Sequence, residues 1–311
     1  MHYPVSAIHA SSLVKQFPKT QGPSVHSLSF EIQPGETVAF LGPNGAGKST
    51  TLKMLCGILS PTSGSAKILG FEAGSQSANQ RLGLVFGTRS QLYLHMTVEH
   101  CLDLSAEIYG LTGAKKRNRI RELSEAFSLL SFLPRRVRSL SLGERMRCEI
   151  VSALLHGPQV LLADEPTIGL DIVAKNSLRE LIKNWQKYEK TTLMLTSHDL
   201  SDVEALCDRC ILIDHGMKRF DGTLTEMKGE LKNLRRVRVT TSASNQEILK
   251  LDRFKLSLKE NLFTHVYEFF TDQLPMSEGL FSLSQHYGDQ LQDLSISEVT
   301  LEEVLEARYS A

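Results

Sequence analysis

The chain has 311 residues, 41% of them hydrophobic and 23% charged, with Lys+Arg and Asp+Glu at 35 each. That length exceeds what one compact domain usually needs, so one large domain and a small one are expected. The even charge balance argues against a global pull towards nucleic acid or a lipid surface, and no run approaches the ~18 apolar residues of a membrane-crossing helix.

The start, Met1-His2-Tyr3-Pro4-Val5, lacks the charged-then-apolar pattern of a secretory leader. Residues 7–17 and 27–32 alternate apolar and polar, as half-exposed strands do. Pro34-Gly35 marks a turn. Residues 37–41 form a short apolar run, read as a buried strand, and a glycine-rich loop follows. Leu52, Leu55 and Leu59 then recur at helical spacing over residues 51–59. From about residue 97 to 155 the pattern is helical. One stripe is Val98, Leu102, Leu104, Ile108 and Leu111; another is Ile120, Leu123, Phe127 and Leu130. The basic run Lys115-Lys116-Arg117 with Arg119 and Arg121 reads as a solvated helix face.

After Pro158, β/α alternation returns: strands at 160–163, 193–196 and 210–213, and helices at 173–188 and 200–206. Strands alternating with helices imply a mostly parallel sheet with a helical insertion. Beyond about residue 232 the character shifts to strands at 235–241, 254–259, 263–270 and 291–296, with helices at 276–286 and 301–308. The expected division is therefore a domain over 1–232 and a small α+β domain over 233–311. The five cysteines, Cys56, Cys101, Cys148, Cys207 and Cys210, are odd in number and scattered. They fit a reducing compartment. The CxxC pair Cys207/Cys210 has no second pair and reads as two buried thiols.

Chemistry concentrates in three places. Gly42-Pro43-Asn44-Gly45-Ala46-Gly47-Lys48-Ser49 fits G-x-x-x-x-G-K-[ST] between a strand and a helix. Glycines let backbone N–H groups turn towards phosphate oxygens, and the helix dipole adds to their attraction. Lys48 supplies a charge for the β/γ-phosphates and Ser49 an oxygen for Mg²⁺. Asp164-Glu165 close the apolar run 160–163. There Asp164 can hold Mg²⁺ and Glu165 can polarise a water for in-line attack. Third, Leu140-Ser141-Leu142-Gly143-Glu144 precedes a helix, Thr167-Ile168-Gly169-Leu170-Asp171 follows Glu165-Pro166, and Thr196-Ser197-His198-Asp199 follows an apolar run.

In that order and spacing, across roughly residues 7–230, these segments resemble the LSGGQ signature, D-loop and switch histidine of the ATP-binding cassette (ABC) ATPases. Residues 140–149, 154–156, 164–171, 205–209 and 295–309 are similar to ATP-binding subunits of multidrug and sodium exporters that have a separate permease. The resemblance implies an α/β P-loop fold with an antiparallel β subdomain and a helical subdomain, with ATP and Mg²⁺ as cofactors. It implies that Phe17 stacks on adenine and that Gly42, Pro43, Asn44, Gly45, Ala46, Gly47, Lys48, Ser49 and Thr50 hold the triphosphate. Ser49 and Asp164 would serve Mg²⁺, Glu165 would be the general base and His198 would touch the γ-phosphate. Ser141, Gly143 and Asp171 would reach ATP across a dimer of such subunits. The partners would be a second copy and a membrane permease, without nucleic acid. The place would be the cytoplasmic face of the inner membrane, reached only through that permease. The alternative is a non-transport or regulatory ABC-type ATPase with low turnover.

Two departures stand out. The family places a glutamine on Mg²⁺ and the attacking water after the strand at 84–86. By register Thr88 stands there, as a metal-side residue of shorter reach, with Gln91 able to substitute only if the loop bends. The signature carries Leu142 where glycine is common and Glu144 where glutamine is common.

Overall fold

Three sheets organise the computed structural model, which describes residues 5–18, 22–87, 89–229, 233–242, 255–259, 263–298 and 300–309. In chain order, β1 (Ile8–Lys15), β2 (Val25–Ile32) and β3 (Thr37–Leu41) lead into α1 (Lys48–Leu55). Then come β4 (Ser63–Ile68), β5 (Phe71–Glu72), α2 (Gln76–Asn79) and β6 (Leu82–Phe86). Three helices follow: α3 (Val98–Ile108), α4 (Gly113–Ala126) and α5 (Leu142–Leu154). The β/α pattern resumes with β7 (Val160–Asp164), α6 (Ile172–Glu189), β8 (Thr192–Thr196), α7 (Leu200–Leu206), β9 (Arg209–Asp214) and β10 (Met217–Thr223). Last are α8 (Leu224–Lys228), β11 (Leu234–Thr241), β12 (Lys255–Lys259), β13 (Thr264–Phe270), α9 (Met276–Tyr287), β14 (Leu291–Glu298) and α10 (Leu301–Tyr309).

The first sheet is antiparallel, in the order β2-β1-β4-β5. Its strands alternate because one face is buried: Val25, Leu28, Phe30 and Ile32 point into the core while their neighbours face out. The central sheet runs β10-β9-β3-β8-β7-β6. Its inner strands are parallel, and β10 is an antiparallel edge. Every residue of β3 and β8 is buried. This explains why those strands read as unbroken apolar runs: a parallel sheet is covered on both faces. Because β3, β8, β7 and β6 are parallel neighbours, their C-terminal ends open onto one edge, where ligands of such sheets bind.

Three expectations are corrected. The first helix runs from Lys48 to Leu55 rather than over 51–59: Cys56 closes it by donating to the Leu52 carbonyl, and Ile58 beyond it is exposed. Ile108 and Leu130, placed in apolar stripes, are 71% and 54% exposed. Ile108 ends its helix. Past α4, Ser128 adopts a left-handed φ of 56°, which breaks the helical count and turns Leu129 inward instead. The strands β4 and β10 were not expected, because Ser63-Gly-Ser-Ala-Lys and Met217-Lys-Arg-Phe-Asp carry no clear alternation.

The basic run on α4 is an ion-paired surface. Lys116 lies 3.0 Å from Asp103 and 2.9 Å from Glu107, and Arg119 meets Glu122 and Glu189. All five cysteines are buried and unbridged; burial pushes the Cys148 thiol up to about 12.

The chain divides into two compact units, Met1–Leu224 and Thr225–Ala311. The boundary expected after residue 232 falls on residues outside those described, as does Phe254. The second unit has an antiparallel sheet in the order β12-β13-β11-β14. Its core joins Val237, Val239, Tyr267 and Phe269 of the sheet to Leu283 and Tyr287 of α9. The hydroxyls of Tyr267 and Tyr287 share a hydrogen bond there.

Candidate nucleotide site

The loop between β3 and α1 is shaped by backbone constraints. Gly47 has φ 103°, and a Cβ there would stand 2.5 Å from the Ser24 carbonyl oxygen, so no other residue fits. The chain then enters α1 directly, leaving its first amides free to face an anion. Lys48 Nζ donates to the carbonyls of Gly42 at 2.5 Å and Pro43 at 3.2 Å, which hold the ammonium beneath the loop. Burial lowers the Lys48 pKa, an effect opposed by the Glu165 and Asp164 carboxylates. A cavity of about 300 Å³ lies over the loop. Pro43, Asn44, Gly45, Gly47, Lys48, Ser49 and Thr50 bound it on one side; Glu165 and His198 bound it on the other. Gly42 and Ala46 build the loop without lining the cavity, and Ala46 is buried.

The acids sit at the end of β7, in register with the end of β8. Ser49 Oγ is 3.5 Å from Asp164 Oδ1, so two oxygen donors converge at the mouth of the loop. Thr196 Oγ1 donates to the same Asp164 oxygen at 2.6 Å and accepts the Glu165 N–H at 3.1 Å. Thr196 therefore orients the Asp164 carboxylate and holds the backbone of Glu165. Sequence reasoning placed it only as the neighbour of His198; its signal is the pairing Asp164↔Thr196 across β7 and β8. Glu165 itself has φ 55°, a left-handed conformation that costs a non-glycine residue energy and recurs at functional sites. Burial raises its carboxyl pKa, opposed by His198 and Lys48.

Behind His198 a buried carboxylate ties two loops together. Asp202 is fully buried and accepts from Thr167 Oγ1, from Ser197 Oγ at 2.7 Å and from Arg179 Nε at 2.6 Å. One side chain thus fixes the segment after Glu165 and the segment carrying His198.

The segment 140–144 stands apart from this cavity. Ser141 is the exposed N-cap of α5 and accepts the Glu144 N–H at 3.2 Å, while Glu144 accepts the Ser141 N–H at 2.8 Å and pairs with Arg135 at 2.9 Å. Glu144 is thus accounted for by a capping box. Gly143 packs against Ala174 on α6, and Leu142 lies against Gly169. Asp171 caps α6 by accepting the Ala174 N–H at 2.8 Å. Ser141, Gly143, Asp171 and Phe17 do not line the cavity. Phe17 follows β1, half-buried, with the Lys15 ammonium 5.3 Å above its ring.

Thr88 lies outside the described residues. Gln91, its possible substitute, is turned away: its side-chain amide donates to the Leu84 carbonyl at 2.7 Å. The loop is anchored instead by Glu149 of α5, a residue that sequence reasoning did not single out. It accepts from Ser90 Oγ and from the Gln91 N–H.

Comparison with known proteins agrees with this geometry. A family model described as ABC transporter matches residues 25–168. The ABC transporter ATP-binding protein NatA of Bacillus subtilis is 38% identical over 206 residues, which is 66% of this chain and 83% of that protein. The doxorubicin resistance ATP-binding protein DrrA of Mycobacterium tuberculosis is 36% identical over 223 residues, 71% of this chain and 67% of that protein. A solved ATP-binding subunit of an ABC transporter superposes with a TM-score of 0.64 at 30% identity, covering 72% of this chain and 92% of that one.

Proposed function

Because the chain belongs to the ABC transporter family of ATP-binding proteins, we propose that it is the ATP-hydrolysing subunit of an exporter with a separate permease. The observation that carries this reading is that Lys48, Ser49, Glu165 and His198 line one cavity, with Asp164 beside Ser49, while Ser141 and Gly143 stand outside it. Such a site is half complete. A second copy, presenting its Ser141 and Gly143 to the exposed phosphates, completes it. Export is the direction supported by the relative named for doxorubicin resistance.

The loop from Gly42 to Thr50 takes the triphosphate on backbone amides, with Lys48 as the charge on the β/γ-phosphates. The paired oxygens of Ser49 and Asp164 fit a hard divalent cation such as Mg²⁺. When bound, that ion neutralises charge on the phosphates. Glu165 accepts the proton of the attacking water, and His198 contacts the γ-phosphate. Asp171 reaches towards the partner's site, and Phe17 supplies the adenine contact. No helix among the described residues is long and apolar enough to cross a membrane. Attachment to the cytoplasmic face of the inner membrane runs through the permease.

One observation favours a slower variant of this activity: Gln91 is committed to Leu84, which leaves Thr88 alone in the place of the family's glutamine. The test is phosphate release by the full chain, alone and with the permease that co-purifies, for the wild type and Glu165→Gln. Turnover by the wild type that is lost in Glu165→Gln supports hydrolysis. A wild type that binds ATP without turning it over in either setting supports the regulatory alternative.

A further inference from the structure

Glu149 is 4% exposed, on α5 about two turns from Ser141. Among the described residues no Lys, Arg or His nitrogen pairs with its carboxylate. All its donors come from one short stretch of the loop after β6. Ser90 Oγ donates to Oε1, and the Gln91 N–H lies 3.1 Å from Oε1 and 3.0 Å from Oε2. A buried carboxylate with no cation paired to it is tolerable only while such donors stay in place. If the loop moved without α5, the carboxylate would be stranded.

The same loop begins against the backbone that carries the hydrolytic carboxylate. The Gly87 N–H donates to the Asp164 carbonyl at 2.8 Å, and a Cβ on Gly87 would overlap the Glu165 carbonyl oxygen. The loop's start is therefore pressed on the backbone of Asp164 and Glu165, and a few residues on Ser90 and Gln91 pin it to the helix that starts at Ser141. On the reading above, Glu165 serves the ATP held by this chain and Ser141 serves the ATP held by its partner.

We propose that Glu149 is a positioning residue that makes the loop after β6 and the signature helix move as one piece, coupling the two ATP half-sites of a single chain. The inference rests on the proposed ABC ATPase activity. A staple that served only to stabilise the fold would change unfolding and leave cooperativity alone; a coupling device changes cooperativity.

The experiment follows ATP hydrolysis by the full chain with Mg²⁺ over a range of ATP concentrations, for the wild type, Glu149→Gln, Ser90→Ala and the double variant. The wild type shows a Hill coefficient approaching 2, the number of sites in the dimer. In Ser90→Ala and Glu149→Gln it falls to near 1 and kcat drops about tenfold, while ATP affinity of the monomer stays within about twofold. Because the two act through one contact, the double variant loses no more than the worse single one. Ser90 is exposed, so its variant carries the test even if Glu149→Gln fails to fold. A wild-type Hill coefficient of 1, single variants that keep wild-type cooperativity, or losses that multiply in the double variant would each overturn the coupling. A wild type with no turnover at all would remove the ATPase reading and this inference with it.

Discussion

The backbone N–H of His198 donates to Oε2 of Glu165 at 3.1 Å, while its imidazole Nε2 stands 3.3 Å from Oε1 of the same carboxylate, outside hydrogen-bond geometry. The two residues follow adjacent parallel strands, so the sheet itself sets their approach. One carboxylate oxygen is held; the other is buried beside the His198 imidazole and has no hydrogen-bond donor. An oriented carboxylate with one oxygen free of donors suits a general base. Glu165→Gln preserves the shape and the Oε2 contact but removes the base. Phosphate release is expected to fall by about 10²–10⁴ with ATP affinity within a few-fold of wild type. A Glu165→Gln protein that hydrolyses ATP at wild-type speed would remove Glu165 from the chemistry.

The same carboxylate sets a pH dependence. Burial raises the Glu165 pKa above its ordinary 4.5, with His198 and Lys48 opposing. The base acts ionised, so turnover is lost as pH falls through that raised value, and the acid limb lies above 4.5. Stability runs the other way. A raised folded pKa favours the folded state below the unfolded pKa, and that contribution is lost as pH rises through the folded pKa. At neutral pH the ionised Glu165 is therefore a cost, and Glu165→Gln is expected to melt higher by about 2–4 °C near pH 7.5. The advantage shrinks towards pH 4.5. Thermal melts across that range check it; a variant that melts lower at pH 7.5 contradicts it.

Much of the central sheet was legible because phosphate chemistry demands particular residues at particular strand ends. Apolar runs ended by Gly42 and by Asp164 can be read without a partner strand. Thr196 and Glu149 could not be found that way. Thr196 matters because β7 and β8 pair in register, and Glu149 because Ser90, 59 positions away in the chain, folds onto it. The largely polar strands β4 and β10, the second of them an edge, show little alternation in their sequences. Ile108 and Leu130 show the limit of helical spacing: it holds only while the helix continues, and a single left-handed residue at Ser128 ends it. The second unit's strands showed in their alternation, while its role did not: among the described residues it holds no group of side chains that could bind a metal ion.

Asp202 is expected to matter for both loops that it joins. It is fully buried and meets Arg179, whose side chain is 12% exposed. Asp202→Ala removes the acceptor of Thr167 and one of the two acceptors of Ser197, and leaves the guanidinium to Asp199, Ser201 and Asn176. Breaking a buried pair so that a charge is left uncompensated costs about 3–5 kcal/mol, which is the upper end of the loss expected here. Denaturant unfolding of the full chain measures it. A loss below about 1 kcal/mol, the range of exposed pairs, would show that the network is not under strain from burial.

Ser141→Ala separates a cap from a catalytic contact. In the monomer Ser141 accepts one hydrogen bond at the start of α5, and losing an N-cap costs about 1 kcal/mol. Glu144 keeps its bond to the Ser141 N–H and its pair with Arg135, so the helix start survives. ATP binding to the monomer, in the cavity that Ser141 does not line, is expected to stay within about twofold. On the proposed shared site, turnover draws on the partner's Ser141 and is expected to fall by about 10²-fold, the scale of one lost donor to a developing charge. Mixing Ser141→Ala with Glu165→Gln sharpens the result. A mixed dimer can hold one site with an intact Glu165 and an intact Ser141 only if the two residues come from different chains: the Ser141→Ala chain supplies the Glu165 and the Glu165→Gln chain supplies the Ser141. Partial recovery of turnover on mixing the two inactive proteins is therefore the expected outcome. Absence of recovery, with dimerisation verified by light scattering, would place both residues in the same chain's site and refute the shared half-site arrangement.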